Sequence, residues 1–500
     1  MDLLRSLFAS LNLDFDLDKL ASQFRYHPGV PLIFNTGFFL LLFLGFLGGY
    51  ELLRRQHRAR LLYVTVFSLF FYYKSSGLYF LLLVFSTIVE YHFALWIADS
   101  ASPARRRLLL TLSLLVNLGM LFYFKYTNFF LSGWQALTRQ PVPVLHVLLP
   151  VGISFYTFQT LSYTIDVYRG QIKPLRSIWD FAFFVTFFPQ LVAGPIVRAS
   201  DFIPQISKAP FLTPADMGRA VVLIAAGLFK KAIISDYISL NYVDRIFDNP
   251  GLYSGIENLL GVYGYALQIY CDFSGYSDMA IGIALLLGYR LPTNFLSPYQ
   301  STSITEFWRR WHISLSSWLR DYLYIPLGGN RRGVVRQYIN LFLTMLLGGL
   351  WHGASLTFVL WGALHGAALA VDKLFKQIFK PGDNWFIKLL GWVITFHFVC
   401  FCWIFFRAGT FEVASQVIHQ IIHNLRPDLL PAVVGSFRPV FALVALGYLL
   451  HALPDGFTWQ LEGALARRSV LTQAVVVTVV IWLVIQVKSA EIQPFIYFQF

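Results

Sequence analysis

The sequence has little charge, little cysteine and no long polar segment. Only 13% of its 500 residues are Asp, Glu, Lys or Arg, against about a quarter in soluble domains. Its three cysteines lie in apolar surroundings and form neither a disulfide framework nor a C-x-x-C metal motif. P-loop, G-x-S-x-G, H-E-x-x-H and dinucleotide fingerprints are missing. These absences argue against a disulfide-rich secreted protein, an NTPase, a nucleophile-elbow hydrolase and a zinc protease, and no metal site is predicted.

Apolar residues dominate what is present. They make up 57% of the chain and include 49 Phe, 26 Tyr and 13 Trp. Stretches near or above the roughly 20 residues that cross a bilayer recur, such as LYFLLLVFSTIVEYHFALWIA and AVVVTVVIWLVIQV. Only helices and closed barrels satisfy the backbone in lipid, and the alternation typical of barrels is absent. The sequence predicts an all-α polytopic membrane protein with about ten to twelve transmembrane or re-entrant helices.

The net charge of +13 is explained by membrane topology and not by a nucleic-acid partner. Lys and Arg cluster between the apolar stretches, and these clusters are expected to face the cytoplasm. The interval between Arg60 and Arg105 holds two apolar stretches, as a hairpin requires. The clusters are Arg54, Arg55, Arg58 and Arg60; residues 105 to 107; Lys230 and Lys231; Arg331, Arg332 and Arg336; Lys373, Lys376 and Lys380; and Arg467 and Arg468. The segment 1–33 carries acidic residues and lacks the basic region that begins a cleaved signal peptide. It is expected to lie along the membrane interface.

A basic stretch, RRWHISLSSWLRDYLYIPLGGNRRG, interrupts this apolar chain. If its first part is one helix, four polar residues fall on a single stripe with two tryptophans beside it. These are Arg309, His312, Ser316 and Arg320, with Trp308 and Trp311. The stripe favours either a polar cavity or an amphipathic helix at the membrane surface. In the loop 325–333, Arg331 and Arg332 offer donors suited to phosphate, although an ordinary positively charged turn has the same pattern.

His352 is the strongest single candidate, because it interrupts about two dozen apolar or small residues in a predicted span. Histidine exchanges a proton near neutral pH, so His352 could act as general base on a hydroxyl. It could equally form a hydrogen bond across a helix interface. His365, at the other end of the same run, is a weaker candidate. Asp272 and Asp278 fall in another apolar segment, where carboxylates either line a cavity or support a helix junction.

These motifs together resemble one family. EFWRRWHISLSSWLRDYLYIPLGGNRRG followed by GGLWHGASLTFVLWGALHG is similar to the membrane-bound O-acyltransferase family, and in particular to its bacterial alginate O-acetyltransferase type. LPVGISFYTFQTLSYTIDVYRG, FFPQLVAGPIVR and the terminal PFIYFQF support the resemblance. It extends over residues 34–500, which predicts one membrane domain there.

The resemblance implies a helical bundle around a central tunnel, with His352 catalytic and His312 in the funnel that leads to it. Acetyl-CoA would be the donor, entering from the cytoplasm through a mouth built from the basic stretch. The residues expected to bind the donor or line the tunnel are Trp308, Arg309, Trp311, Ser316, Arg320, Asp321, Asn330, Arg331 and Arg332.

The same resemblance implies a location and partners. The protein would lie in the bacterial inner membrane and pass acetyl groups to a periplasmic acetyltransferase, which modifies an exopolysaccharide such as alginate or cellulose. Tyr497 near the chain end is either an acyl carrier or an aromatic interfacial anchor. Three other functions stay open. The first is transfer of another acyl unit, such as D-alanine, from a carrier-protein thioester, and the second is proton-coupled transport along His312, His352, Asp272 and Asp278. The third is a purely structural scaffold for an export complex.

Overall fold

The structure is a computed structural model that describes residues 21–487 except 29, 146, 381 and 383, together with Phe495 and Ile496. These residues form α-helices with short 3-10 and π-helical turns, and no strand occurs among them. The predicted all-α polytopic class is confirmed. Most of the predicted interfacial segment 1–33 lies outside the described residues, so that segment and the domain boundary after it stay predictions.

The first half of the chain begins with four long helices, and most of the helices that follow them are shorter. The helices of this half are α1 (Gly37–Leu53), α2 (His57–Ser76), α3 (Phe80–Asp99), α4 (Pro103–Leu121), α5 (Thr127–Thr138), α6 (Ile153–Tyr168), α7 (Ile178–Thr186), α8 (Phe188–Leu191), α9 (Ala199–Ile206), α10 (Pro214–Leu228), α11 (Asp236–Ile238) and α12 (Asp244–Asp248). π-Helical turns occupy Phe122–Tyr126, Phe229–Ser235 and Ser239–Val243.

The second half begins with the longest helix. Its helices are α13 (Gly255–Leu286), α14 (Ile304–Arg310), α15 (Ile313–Leu319), α16 (Val334–His352), α17 (Leu356–Phe379), α18 (Trp385–Arg407), α19 (Phe411–His423), α20 (Leu430–Ser436), α21 (Arg438–Ala452), α22 (Asp455–Ala466) and α23 (Val470–Val487). A further π-helical turn covers Arg320–Tyr324. Helix α13 is buried over nearly its whole length and forms the centre of the bundle.

Within the described part of the chain, four helical stretches are long and apolar enough to cross a membrane by length and composition. They are His57–Asp99, Pro103–Thr138, Leu356–Phe379 and Trp385–Arg407. A fifth results if Pro427–Ser436 and Arg438–Ala452, bent by 99°, form one span. Several of the other predicted segments are shorter or broken helices, which lipid tolerates where they pack inside protein.

The stretch His57–Asp99 is a hairpin. At its start, His57 Nε2 lies 3.3 Å from Asp180 Oδ1, and at its end Arg176 pairs with Asp99 at 2.7 Å. Because residues 176 and 180 are close in the chain, both ends of the stretch meet at one face of the bundle. This confirms the predicted pair of apolar helices between Arg60 and Arg105.

Two faces of the bundle can be told apart. Arg60 donates hydrogen bonds to the carbonyls of Arg54 and Ile206, and Arg106 donates to Tyr168 O. We call this side, which holds the α1–α2 turn and the ends of α6 and α9, the arginine face. On the opposite face the backbone N–H of Val151 donates to Ser76 Oγ, which joins the end of α2 to the start of α6.

Lys231 does not lie at a surface and Lys230 is only partly exposed, so the prediction that this pair faces the cytoplasm is wrong for Lys231. Lys231 is 3% exposed and pairs with Asp272 at 2.6 Å and Asp236 at 2.7 Å. Lys230 pairs with Asp278 at 2.7 Å. The carboxylates of α13 therefore neutralise the lysines of the π turn inside the bundle. This geometry agrees with the structural support suggested for Asp272 and Asp278.

We expect Lys231→Met to destabilise the fold strongly. Removing one partner of a buried ion pair leaves a buried charge and costs about 3–5 kcal/mol. Lys376→Met is a matched control, because Lys376 pairs with Asp372 but its side chain is 45% exposed, and an exposed pair contributes about 0–1 kcal/mol. Unfolding in a mild detergent measures both losses. Equal losses would contradict the buried pair's role.

Candidate active site

The basic stretch is not one helix, so the predicted single stripe is wrong. Helix α14 ends at Arg310 and α15 begins at Ile313. Between them His312 has φ 43° and ψ 55°, the left-handed region. Arg309 and Arg320 are exposed, whereas His312 is completely buried. The break turns the imidazole into the core while the arginines stay at the surface.

Asn294 stabilises this break and fixes the tautomer of His312. Asn294 Oδ1 accepts hydrogen bonds from the backbone N–H of Ser314 at 3.2 Å and from its hydroxyl at 2.8 Å. That oxygen lies 3.2 Å from His312 Nδ1, so Nδ1 carries the proton and donates it. Among the described residues, His312 Nε2 has no hydrogen-bond partner. The neutral ring therefore presents an acceptor nitrogen inside the protein.

His352 is the last residue of α16 and is 3% exposed. Helices α16 and α17 form a tight pair in which Gly349 faces Gly362, and a Cβ at either glycine would overlap the backbone of the other helix. This close packing fixes where α16 ends. The His352 ring lies in an aromatic cage, with the Trp361 and Phe406 rings 5.1 and 5.3 Å away, centre to centre.

Trp351 lies between the two histidines. Its ring centre is 5.0 Å from that of His352 and 6.2 Å from that of His312. Phe155 of α6 packs against Trp351 at 5.3 Å and against His312 at 6.3 Å. The structure thus brings the two histidines predicted from sequence into one aromatic cluster.

A narrow cavity of about 40 Å³ opens at His352 on the opposite face. Its polar lining comes from Lys125, Ser154 and His352, and its apolar lining includes Phe155 and Trp351. Lys125 Nζ lies 2.6 Å from Trp351 O, 3.0 Å from His352 O and 3.4 Å from Ser154 Oγ. The cavity therefore lies beside His352, with the Ser154 hydroxyl next to the Lys125 ammonium.

The third candidate histidine forms a separate arrangement. Trp308 Nε1 donates to His365 Nδ1 at 3.3 Å, and both residues are buried. The Trp361 ring lies between His352 and His365, 4.7 Å from the latter. Trp311 is 1% exposed and stacks on Phe307. Both predicted tryptophans are thus core residues close to the histidines and not surface anchors.

A larger cleft of about 610 Å³ opens on the arginine face. Arg169 and Arg198 lie over the Tyr322 ring at 5.3 and 5.2 Å, and Tyr322 donates its hydroxyl to Asp166 at 2.8 Å. Arg198 also pairs with Asp321 at 2.7 Å. The cleft combines positive charge with an aromatic floor, which suits a polyanion that carries a ring or an apolar arm.

Asp321 holds its negative charge in this cleft. Partial burial raises the pKa of its carboxyl, but the hydrogen bonds from Arg320 and the charge of Arg198 lower it by more. The net pKa lies below the usual range, so Asp321 is ionised at neutral pH. It keeps the Arg198 side chain in place at the cleft.

The remaining predicted donor residues lie at or near the surface. Asn330, Arg331 and Arg332 are exposed, and Ser316 donates its hydroxyl to Trp311 O at 3.2 Å. Of the predicted donor-binding residues, Asp321 lines the cleft. Ile325 and Pro326, from the loop 325–333, also line it. Arg331 and Arg332 extend from that loop, so a role in donor binding stays a prediction.

Stacked aromatic rings connect the cleft to the cavity. Successive ring centres are 5.1 Å apart from Tyr322 to Trp318, 3.7 Å from Trp318 to Phe158 and 5.4 Å from Phe158 to Trp351. Asp166 at the cleft and Ser154 at the cavity lie twelve residues apart on α6, about 18 Å along its axis. These rings fill the space between the cleft and the cavity, so a continuous tunnel between them stays a prediction.

Sequence reasoning missed Lys125, Asn294, Arg169 and Arg198. Arg198 ends the Gly- and Pro-interrupted stretch FFPQLVAGPIVR, and that interruption was the available signal. Lys125 also had a signal, because it is the lone charged residue of the apolar residues 108–138. Asn294 had none, because His312, its partner, lies 18 residues away in the chain. Tyr497 lies outside the described residues. Its neighbour Ile496 is buried and donates its backbone N–H to Asp272 Oδ2 at 2.8 Å.

The titratable side chains of the described residues do not gather into a metal site. No group of three or more His, Cys, Asp or Glu side chains in that part of the chain could hold a metal ion. What the site does contain is neutral histidine, hydroxyl and ammonium in an apolar surrounding. Those groups suit proton transfer and the stabilisation of an oxyanion.

Comparison with known proteins gives consistent matches. The model of the membrane-bound O-acyltransferase family matches residues 106–411. A peptidoglycan O-acetyltransferase of Helicobacter pylori is 40% identical over 422 residues, covering 78% of this chain and 80% of that protein. A probable alginate O-acetylase AlgI of Pseudomonas putida is 37% identical over 504 residues, covering 94% and 100%. A teichoic acid D-alanyltransferase of Bacillus subtilis is 31% identical over 299 residues, covering 56% and 74%.

The family match covers more than half of the chain and includes both histidine motifs. The O-acetylating relatives are similar over most of their length. The resemblance drawn from the histidine motifs is confirmed, and the enzyme class with it. The chain belongs to the membrane-bound O-acyltransferase family and is an O-acyltransferase.

Proposed function

We propose that this enzyme moves an acetyl group from cytoplasmic acetyl-CoA across the bacterial inner membrane for O-acetylation of an exopolysaccharide, alginate-like or cellulose-like, through a periplasmic partner. The observation that carries the proposal is the position of His352. It lines a narrow cavity at one face, and a row of aromatic rings connects it to an arginine-lined cleft at the other face. An acyl donor and an acyl acceptor could thus approach one histidine from opposite sides.

The arginine face is the cytoplasmic side in this proposal. Clusters of Lys and Arg in short loops remain on the cytoplasmic side of inner-membrane proteins. The cleft then opens toward cytoplasmic acetyl-CoA, and the cavity at His352 opens toward the periplasm. The relatives named for alginate and peptidoglycan acetylation make a periplasmic polysaccharide the favoured final acceptor. A separate acetyltransferase would complete that transfer.

Arg169 and Arg198 are the proposed contacts for the CoA phosphates. Guanidinium groups bind phosphate in a bidentate manner, and both arginines are already oriented by Tyr322. The pantetheine arm would follow Trp318 and Phe158 toward Trp351. The axial distance of about 18 Å along α6 is within the reach of that extended arm. The rings of Phe158 and Trp318 must separate to let it pass.

His352 is the proposed general base. Its imidazole takes the proton of the attacking hydroxyl as the oxygen forms a bond to the thioester carbonyl carbon. The carbonyl electron pair moves to oxygen, then returns as the carbon–sulfur bond breaks. The imidazolium gives its proton to the departing thiolate. His312, oriented by Asn294, holds the donor or the hydroxyl through its acceptor nitrogen Nε2.

The size of the cavity favours acetyl as the acyl group. About 40 Å³ admits roughly three water-sized groups, because each needs about 10–15 Å³. An acetyl group has three non-hydrogen atoms, whereas a D-alanyl group has more and carries a charge. Transfer of D-alanine, the acyl group in the name of the Bacillus subtilis relative, is the second candidate, with a carrier-protein thioester as the donor. Proton-coupled transport is disfavoured by the family assignment.

We expect His352→Ala to abolish acetyl transfer. Loss of a general base costs about 10²–10⁴ in rate, so transfer should fall by at least about 100-fold. The measurement is the transfer of labelled acetyl from acetyl-CoA in inside-out membrane vesicles of the producing cells, which keep any partner protein. His397→Ala is the control, since that exposed histidine of α18 contacts Val393 O within its own helix. A His352→Ala enzyme at wild-type rate would disprove the assignment.

We expect Arg198→Gln to weaken donor binding while leaving the chemical step intact. A charged hydrogen bond contributes about 1.5–3 kcal/mol, so the apparent KM for acetyl-CoA should rise about tenfold or more, with little change in kcat. Arg219→Gln is the control, because Arg219 lines a different cleft together with Asp216 and Glu462. An unchanged KM would show that the donor binds elsewhere and would favour a carrier-protein thioester.

A further inference from the structure

A lysine inside an apolar helical stretch holds the end of the helix that carries His352. Lys125 is the lone charged residue of residues 108–138. Its ammonium donates to the carbonyls of Trp351 and His352, and the hydroxyl of Tyr126 donates to Leu350 O at 2.9 Å. The last carbonyls of a helix have no partner within the helix. Two neighbouring side chains thus satisfy the three carbonyls that end α16.

The backbone that carries these two side chains is unusual. Lys125 and Tyr126 belong to the π-helical turn Phe122–Tyr126, which joins α4 to α5. Such turns are rare and occur frequently at functional sites. A cation at a helix C-terminus also interacts favourably with the helix dipole. The π turn therefore positions the backbone of His352 from a neighbouring helix.

Capping alone does not account for the charge of Lys125. Within the described part of the chain no carboxylate pairs with it, in contrast to Lys231 with its two aspartates. An ammonium group has three donors. Two make the hydrogen bonds to Trp351 O and His352 O, and the third points to Ser154 Oγ at 3.4 Å, inside the cavity. A half-buried cation inside an apolar helical stretch of a membrane protein indicates function.

We propose that Lys125 and Ser154 form the oxyanion-binding site of the acyl transfer. This inference rests on the proposed role of His352. When the acceptor oxygen bonds to the thioester carbon, the carbonyl oxygen gains a negative charge in the cavity beside both donors. The third N–H of Lys125 and the Ser154 hydroxyl stabilise that charge while His352 holds the proton. This role requires the protonated form of Lys125, and the negative charge moves to the leaving sulfur when the carbon–sulfur bond breaks.

The test replaces Lys125 in the same vesicle assay. Lys125→Gln keeps amide donors for the carbonyls but removes the charge, and losing one oxyanion donor costs about 10²–10³ in kcat, with KM for acetyl-CoA little changed. Lys125→Arg keeps the charge and should recover most of that loss. Ser154→Ala should lower kcat by a smaller factor. Protein amount and melting temperature are measured for each variant.

Lys74→Gln is the matched control. Lys74 of α2 is buried and, like Lys125, donates to a backbone carbonyl, that of Arg25. It lies over the Phe38 ring, as Lys125 lies over the Trp351 ring with its ammonium 5.8 Å from the ring centre. It lines no cavity described at His352. This variant should keep the wild-type kcat. If Lys74→Gln and Lys125→Gln lower kcat and melting temperature alike, Lys125 is structural and the proposal is wrong.

The outcomes separate the two hypotheses. A Lys125→Gln enzyme within about threefold of the wild-type kcat, beside an inactive His352→Ala enzyme, would overturn the oxyanion site and leave the role of His352 intact. Equal inactivity of Lys125→Arg and Lys125→Gln would overturn it as well. An active His352→Ala enzyme beside an inactive Lys125→Gln enzyme would disprove the histidine base while keeping a charge-dependent site.

Discussion

A chain in lipid has to satisfy its own backbone, because no water is present to do so. Inside a continuous helix this happens automatically. At a helix end inside the bundle, the last carbonyls and the first N–H groups need side chains from elsewhere. Asn294 serves the start of α15, and Lys125 and Tyr126 serve the end of α16. His312 and His352 lie at these two helix ends.

A helix end gives a side chain freedom that a helix face does not. On a face, a ring is flanked by neighbours one turn away and points in one direction. His312 instead adopts a left-handed conformation that costs about 1–2 kcal/mol, and this turns its ring toward Trp351. Backbone strain of this kind persists only where surrounding contacts hold the residue in that conformation, and it is common at functional sites. Here the hydrogen bonds of Asn294 hold His312 in its left-handed conformation.

Sequence reasoning predicted the features that depend on composition and spacing. It failed where contacts between residues distant in the chain set the backbone conformation. His352 was identifiable because an ionisable residue in an apolar span is costly. The hairpin 57–99 followed from the spacing of Arg60 and Arg105. The helical stripe from Arg309 to Arg320 was wrong because helical periodicity cannot show that Asn294, 18 residues upstream, offers the backbone an alternative to a continuous helix.

Lys230 and Lys231 show that the sequence also cannot tell which positive charges are neutralised by distant carboxylates. Counting positive residues assigns every cluster to the cytoplasm, yet Lys230 and Lys231 are neutralised by Asp278 and Asp272 from α13. Only the folded chain shows which cation has a carboxylate. Lys231, neutralised, contributes stability and has no net charge to offer a substrate.

Lys125 differs from Lys231 in this one respect. Its acceptors are carbonyl and hydroxyl oxygens, which orient the ammonium without cancelling its charge. In a cavity of low dielectric constant that charge acts strongly on any negative charge formed nearby. The same cation stabilises the end of α16 through the helix dipole and favours an oxyanion once the reaction begins. The helix end that fixes His352 therefore also brings a positive charge to the place where acyl transfer generates a negative one.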